Sequence, residues 1–216
     1  MKAIAIMGES GSGKTSSFRN VDPKTTFYVD CDKKGLSWKG WRDNFSGANK
    51  NYVATDLPEM ALNILQQVNT QEKYKHIKVI VFDTINGLMV ADEMRRMREK
   101  GYDKWQDLAA SIYGLIDYAL TVREDLTCIF IAHTQTDRDD SNSYQFTHIK
   151  TSGRKLDKIT LESKFSTVLW SRYEGGEYVF RVHTDGTCTA KSPMGAFDTD
   201  TIPNDINNVL DALKDY

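Results

Sequence analysis

Cysteine is scarce in this chain of 216 residues: Cys31, Cys128 and Cys188 form an odd, widely spaced set with no CxxC pair. That excludes a disulfide framework and offers no zinc-ligand spacing, so a reducing compartment is expected. An excess of charge of one sign is also missing. Lysine and arginine number 28 against 30 aspartate and glutamate, a formal net charge of -2, which excludes coating nucleic acid by bulk electrostatics and leaves only local patches. No apolar run approaches the roughly 20 residues of a bilayer-spanning helix. The first run, Ala3 to Met7, passes straight into a glycine loop rather than a cleavage site. A soluble, cytoplasmic, non-secreted protein with no membrane partner is the expectation. Internal repeats and low-complexity tracts are absent too, and at 40% hydrophobic and 27% charged residues the composition is ordinary for a globular chain. The length suits a single α/β domain.

Apolar runs of strand length are present at Ala3 to Met7, Thr26 to Asp30, Val79 to Asp83 and Cys128 to His133. Their continuous apolar character predicts a mostly parallel sheet with helices on both faces. Between them, Asp56 reads as an N-cap and Pro58 as first-turn residue of a helix with Met60, Ile64, Leu65 and Val68 in its stripe. A second helix carries Trp105, Leu108, Ile112, Ile116 and Leu120. Phe165 to Tyr173, Glu177 to Thr184 and Thr187 to Lys191 read as short strands of an antiparallel extension, and Pro203 to Asp205 introduce a last helix through Ile206, Val209, Leu210 and Leu213. The expected organisation is a parallel core over residues 1–135, a loop over 136–155, and the extension with its helix over 156–216.

GESGSGKT, residues 8–15, satisfies GxxxxGK[ST] between an apolar strand and a helix start. Backbone N–H groups of Gly8, Glu9, Ser10, Gly11, Ser12, Gly13, Lys14, Thr15 and Ser16 are the candidate cradle for the phosphates of ATP. A helix N-terminus would add its positive end there, Lys14 would reach the β- and γ-oxygens, and the Thr15 hydroxyl would ligate Mg²⁺. KVIVFDT ends a strand on Asp83, the expected second Mg²⁺ carboxylate. Hydrolysis also needs a group that orients water, and FYVDCDKKG offers Asp30 and Asp32, alternation pointing both toward one side; the alternative is a pair of solvated carboxylates. CIFIAHTQ ends on His133 and Gln135 at the same carboxyl edge, where His133 is either a γ-phosphate sensor or a structural histidine.

Through GESGSGKT, FYVDCD, VIVFDT, IFIAHTQ and, more loosely, the Trp105 to Leu120 helix and TAKSP, the chain resembles the RecA-like ATPases. The resemblance is to the small phage-encoded members associated with single-strand annealing and recombination. It implies ATP and Mg²⁺ as cofactors, Asp32 as water-activating acid where the family often has glutamate, and His133 at the place of a strand-end amide sensor. It further implies that the loop after the sensor strand binds single-stranded DNA. Here that loop, Thr136 to Lys155, offers Arg138, Lys150, Arg154 and Lys155 as phosphate contacts and Tyr144 and Phe146 as stacking surfaces; the alternative is a solvated surface loop. Arg95, Arg96, Arg98 and Lys100 form a second basic patch, read as a solvated helix face. The resemblance implies a ring or filament of like subunits completed in trans by Lys191, with Arg181 or Arg172 as other choices, and a single-strand-binding protein as a further partner. A phage-encoded protein would work in the host cytoplasm. Two other classes stay open: a P-loop small-molecule or nucleotide kinase, for which no arginine-rich lid is present, and a nucleotide-gated loader or adaptor with little hydrolysis.

Overall fold

The computed structural model describes residues 3–101, 103–139, 144–152 and 160–216. Its strands are Ala3–Gly8 (β1), Thr26–Asp30 (β2), Tyr52–Ala54 (β3), Val79–Asp83 (β4), Thr127–Asp139 (β5), Tyr144–Ile149 (β6), Thr167–Glu174 (β7), Glu177–Arg181 (β8) and Thr201–Pro203 (β9). Every residue of β1, β2 and β4 is buried, which is why they appear in the sequence as unbroken apolar runs. The strand order is β3, β2, β4, β5, β1, β7, β8, β9, with β6 paired to the far half of β5.

From β3 to β7 every neighbouring pair is parallel, while β7–β8, β8–β9 and β5–β6 are antiparallel. The fold is therefore a mostly parallel α/β sheet with an antiparallel C-terminal margin. The pairing corrects one sequence expectation. The stretch Phe165 to Tyr173, expected in the antiparallel extension, supplies β7 from Thr167 onward, which lies parallel to β1, so the parallel sheet draws on both halves of the chain. Thr187 to Lys191 forms isolated bridges, Thr147 to Cys188 and Val168 to Lys191, rather than a strand.

Helices cover both faces. Pro58–Thr70 (α2), Ile85–Arg95 (α3) and Asp103–Ala119 (α4) pack Leu65, Val68, Leu88, Ile112 and Ile116 against Phe27, Val29, Ile80 and Phe82. The opposite face carries Ile4, Ile6, Tyr28 and Val81 beneath Phe18, Phe45 and the last helix, Ile206–Ala212 (α5). The short Trp41–Asn44 (α1) adds Trp41 at the margin. Period-two alternation thus sends Phe27 and Val29 to one layer and Tyr28 to the other.

Two helix expectations shift. The N-cap of α2 is Leu57, and Asp56 instead pairs with Lys33 at 2.5 Å and Arg95 at 3.2 Å. Ala61 is buried on that helix where Met60 is 45% exposed. After the glycine loop only a 3-10 turn forms, Thr15–Phe18, with Asn20, Asp22 and Pro23 close behind. Four residues cannot build a helix macrodipole of any length, so anion attraction falls to the loop N–H groups and Lys14.

Among the described residues, no helix is long and apolar enough to cross a membrane, and no three His, Cys, Asp or Glu side chains are grouped to hold a metal by themselves. The three cysteines are free and buried.

Candidate nucleotide site and adjoining hairpin

Parallel register brings four chain segments to one edge of the sheet. Gly8 lies beside His133 on the neighbouring strand, and Asp30 beside Asp83. Strand β5 runs between the strand that delivers the glycine loop and the strand that delivers Asp83. All of these ends are carboxyl ends, the side on which open parallel sheets bind ligands.

Lys14 folds back into its own loop, donating from Nζ to Gly8 O at 2.8 Å and Glu9 O at 2.6 Å. Its side chain is nearly enclosed, and burial pulls the ammonium pKa down to about 8 against the opposing attraction of Asp83. Lys14 is thus an incompletely compensated cation, facing neutral carbonyls where a phosphate oxygen would bind it better. Gly8 has no room for a side chain, since a Cβ there would meet Ser12 Oγ at 2.5 Å and Ser171 O at 2.6 Å.

Thr15 Oγ1 donates to Asp83 Oδ2 at 2.6 Å, and Tyr28 OH donates to the same oxygen at 2.7 Å. Burial raises the Asp83 pKa in spite of those two donors, and burial together with Asp83 drives that of Tyr28 far up. The other carboxylate oxygen, Asp83 Oδ1, is buried with no hydrogen-bond partner among the described residues. An orphaned carboxylate oxygen beside a threonine hydroxyl and a buried lysine is a donor set that fits a hard divalent cation and a phosphate chain. The peptide bond after this residue, Asp83–Thr84, is cis.

Asp30 and Asp32 part company. Asp30 is buried, with Oδ2 accepting from Gly35 N at 2.7 Å and from Tyr52 OH at 2.7 Å, so it fastens the turn after β2 to β3. Asp32 turns to the other side, accepting from Thr84 Oγ1 at 3.0 Å and Lys34 Nζ at 2.5 Å. The alternation expected to aim both together ends at Asp30, because the strand ends there. Asp32, Thr84, Asn86, Gly87 and His133 line a cleft of about 340 Å³ next to α3.

His133 sits at that cleft, half-buried, its pKa lowered by burial and by Lys14, which keeps the ring neutral at pH 7. Its backbone N–H donates to Asn86 Oδ1 at 2.7 Å, while Asn86 Nδ2 donates to Lys150 O at 2.7 Å and Lys150 N to His133 O at 2.8 Å. Asn86 therefore pins together two chain segments, one at His133 and one at Lys150. The expected loop from Thr136 is a β-hairpin between them: β5 continues to Asp139 and β6 returns antiparallel, with Thr134 opposite Ile149 and Arg138 opposite Gln145. The base of the hairpin also meets the phosphate loop, Thr134 Oγ1 donating to Glu9 Oε1 at 2.6 Å. Gln135 is part of this hairpin, bonded to Asp137, and not a strand end.

Arg138 is exposed near the end of β5, Phe146 stacks against His148 with ring centroids 6.4 Å apart, and Lys150 is exposed at the base. The side chain of Tyr144, and Arg154 and Lys155 altogether, lie outside the described residues. Lys191 joins its backbone to Val168, and Arg181 pairs with Asp185. Arg172 pairs with Glu174 and covers Trp170. In the second basic patch Arg95 is held by Asp56, and Arg96 by Glu99 and Asp107, as a structured surface should be.

Sequence reasoning missed Tyr28, Thr84, Asn86 and Gly87. A signal existed for two of them: Tyr28 shares the alternation of Asp30 in FYVD, and Thr84 comes directly after the acid. Asn86 and Gly87 depend on how α3 lies against β5 and the end of β2, which no periodicity encodes. No curated protein matches the chain. A family model described as an AAA domain matches residues 2–194, most of the length of the chain, and the chain belongs to that family of P-loop ATPases.

Proposed function

We propose that this P-loop ATPase hydrolyses ATP with Mg²⁺ and couples the reaction to single-stranded DNA, in recombination or replication of the phage type. The observation that carries the reading is the hairpin itself. It grows without interruption out of His133, is pinned at its base by Asn86, and touches the phosphate loop through Thr134 and Glu9. Nucleotide chemistry and the candidate DNA surface are then parts of one strand pair.

Within the site, the loop N–H groups and Lys14 bind the β- and γ-phosphates, and Thr15 and Asp83 hold Mg²⁺. When bound, the ion shares the negative charge of the phosphate oxygens. Asp32 orients the attacking water and accepts its proton, while Thr84 and Lys34 hold the carboxylate. His133, neutral, reads the γ-phosphate by hydrogen bonding. On the hairpin, Phe146 stacks on bases and Arg138 and Lys150 meet phosphates. Subunits of a ring or filament share sites through Lys191, and a single-strand-binding protein meets the same DNA in the cytoplasm. A nucleotide-gated loader is the second reading, favoured by the Lys34 ion pair that occupies one oxygen of Asp32.

The test is the ATPase rate with and without single-stranded DNA, alongside sedimentation with nucleotide. DNA should stimulate turnover and promote assembly. Arg138→Ala combined with Phe146→Ala should remove the stimulation and leave the basal rate within twofold. A rate indifferent to DNA in the unaltered protein would refute the DNA role, and binding without turnover would favour the loader.

A further inference from the structure

The phosphate loop has two flanks. One touches Asp83 through Thr15. The other touches the β7–β8 hairpin: Ser171 Oγ donates to Ser12 O at 2.7 Å, and a Cβ at Gly13 would lie 2.9 Å from Tyr178 Cδ1. A triphosphate whose γ end lies by Lys14 and Asp83 must send its nucleoside out on the opposite side, toward Tyr178.

What stands there is an aromatic face left in water. Tyr173 and Tyr178 are cross-strand partners with ring centroids 4.9 Å apart at 56°, and they are 61% and 48% exposed. Two residues further along the same face, Phe180 is fully buried beside Leu169, so the stripe passes from core to an open ring at the carboxyl edge of the sheet. The backbone beneath the ring is anchored. Asn204 N donates to Tyr178 O at 3.2 Å and Asn204 Nδ2 to Ser171 Oγ at 3.1 Å. Arg19 ties Asn204 O to Ser16 O with bonds of 2.9 and 3.0 Å. Asn204, 4% exposed, also holds an unpartnered acceptor: its Oδ1 has no partner among the described residues and lies 3.2 Å from the same Gly13 point.

We propose that Tyr178, backed by Tyr173, is the platform on which the base of the bound nucleotide stacks, an inference that rests on the nucleotide-binding reading of the loop. Every base offers a π-face, so the platform selects nucleotides over base-free polyphosphates more than it selects among bases. A stacked base contributes about 10- to 100-fold to affinity by the scale of ring removal elsewhere.

The experiment compares the dissociation constants of Mg²⁺-ATP and Mg²⁺-tripolyphosphate for the unaltered chain and for Tyr178→Ala, Tyr178→Leu and Tyr178→Phe. Alanine and leucine should weaken ATP about tenfold or more and leave tripolyphosphate within twofold, while phenylalanine keeps both; leucine retains apolar bulk without a π-face. Retained tripolyphosphate binding also reports an intact loop. The platform is overturned if ATP affinity survives in the alanine and leucine variants, if both ligands weaken together, or if phenylalanine loses as much as alanine. An unaltered chain that binds neither ligand would instead overturn the nucleotide reading beneath it.

Discussion

Gly87→Ala tests the placement of Asp32 with a single methyl group. Gly87 lies in the first turn of α3, and a Cβ there would come within 2.4 Å of Asp32 Oδ1, 2.7 Å of Cys31 O and 2.9 Å of Cys31 C. Two of those atoms are backbone, so the segment carrying Asp32 must move by about 0.5 to 1 Å to restore van der Waals distance. Misplacing a catalytic group by about 1 Å lowers turnover on the order of 100-fold. The preference of alanine over glycine inside a helix, about 1 kcal/mol, offsets only part of the roughly 1 to 3 kcal/mol that such overpacking costs. The expected result is a turnover number reduced at least tenfold, nucleotide affinity within about threefold, and a melting temperature lowered by about 2 to 8 °C with the chain still folded at about 25 °C. Gly114→Ala is the control: it lies in α4, where a Cβ meets nothing within 4 Å, and should leave turnover unchanged. Steady-state ATPase kinetics, calorimetric binding and thermal unfolding measure all three quantities. A folded Gly87→Ala protein with turnover within twofold would refute Asp32 as the water-orienting acid.

Lys14 gives a pH dependence with a definite sign. The ammonium form attracts phosphate, and burial brings its pKa to about 8, so nucleotide affinity is fully present below pH 8 and declines about tenfold per unit as pH rises beyond it. Equilibrium binding between pH 7 and 9.5 measures this, and a flat profile would contradict it. Tyr28→Phe removes one of the two hydroxyls donating to buried Asp83 Oδ2, and should lower unfolding free energy by about 1 to 3 kcal/mol in denaturant titration.

Legibility followed locality. β2 and β4 stand where the sequence predicts them because both faces of each are buried, and an unbroken apolar run has few other meanings. β3 escapes a reading of the sequence because it is a three-residue edge strand with no fully buried position, and α3 because its buried and exposed residues keep to no clean stripe. The parallel pairing of β7 with β1 joins residues more than 160 apart, and no local pattern states which strand a segment will choose. In the site, Lys14, Thr15 and Asp83 are legible through a motif and a strand end, and the structure joins Thr15 to Asp83 directly. The hairpin is hidden by its polarity: Thr136 to Arg138 alternate nothing apolar, yet they pair across to Gln145, Phe146 and Thr147.

The margins of the sheet bear on how copies of this chain could meet. β3 and β9 are three residues each, and β9 ends in Pro203, which has no N–H to offer. Edges this short are poor templates for adding a strand, and at β9 the proline removes a donor as well. Along β3 and β9, copies of this chain in a ring or filament would therefore meet through side-chain surfaces, and subunits could shift against one another there without breaking a backbone ladder.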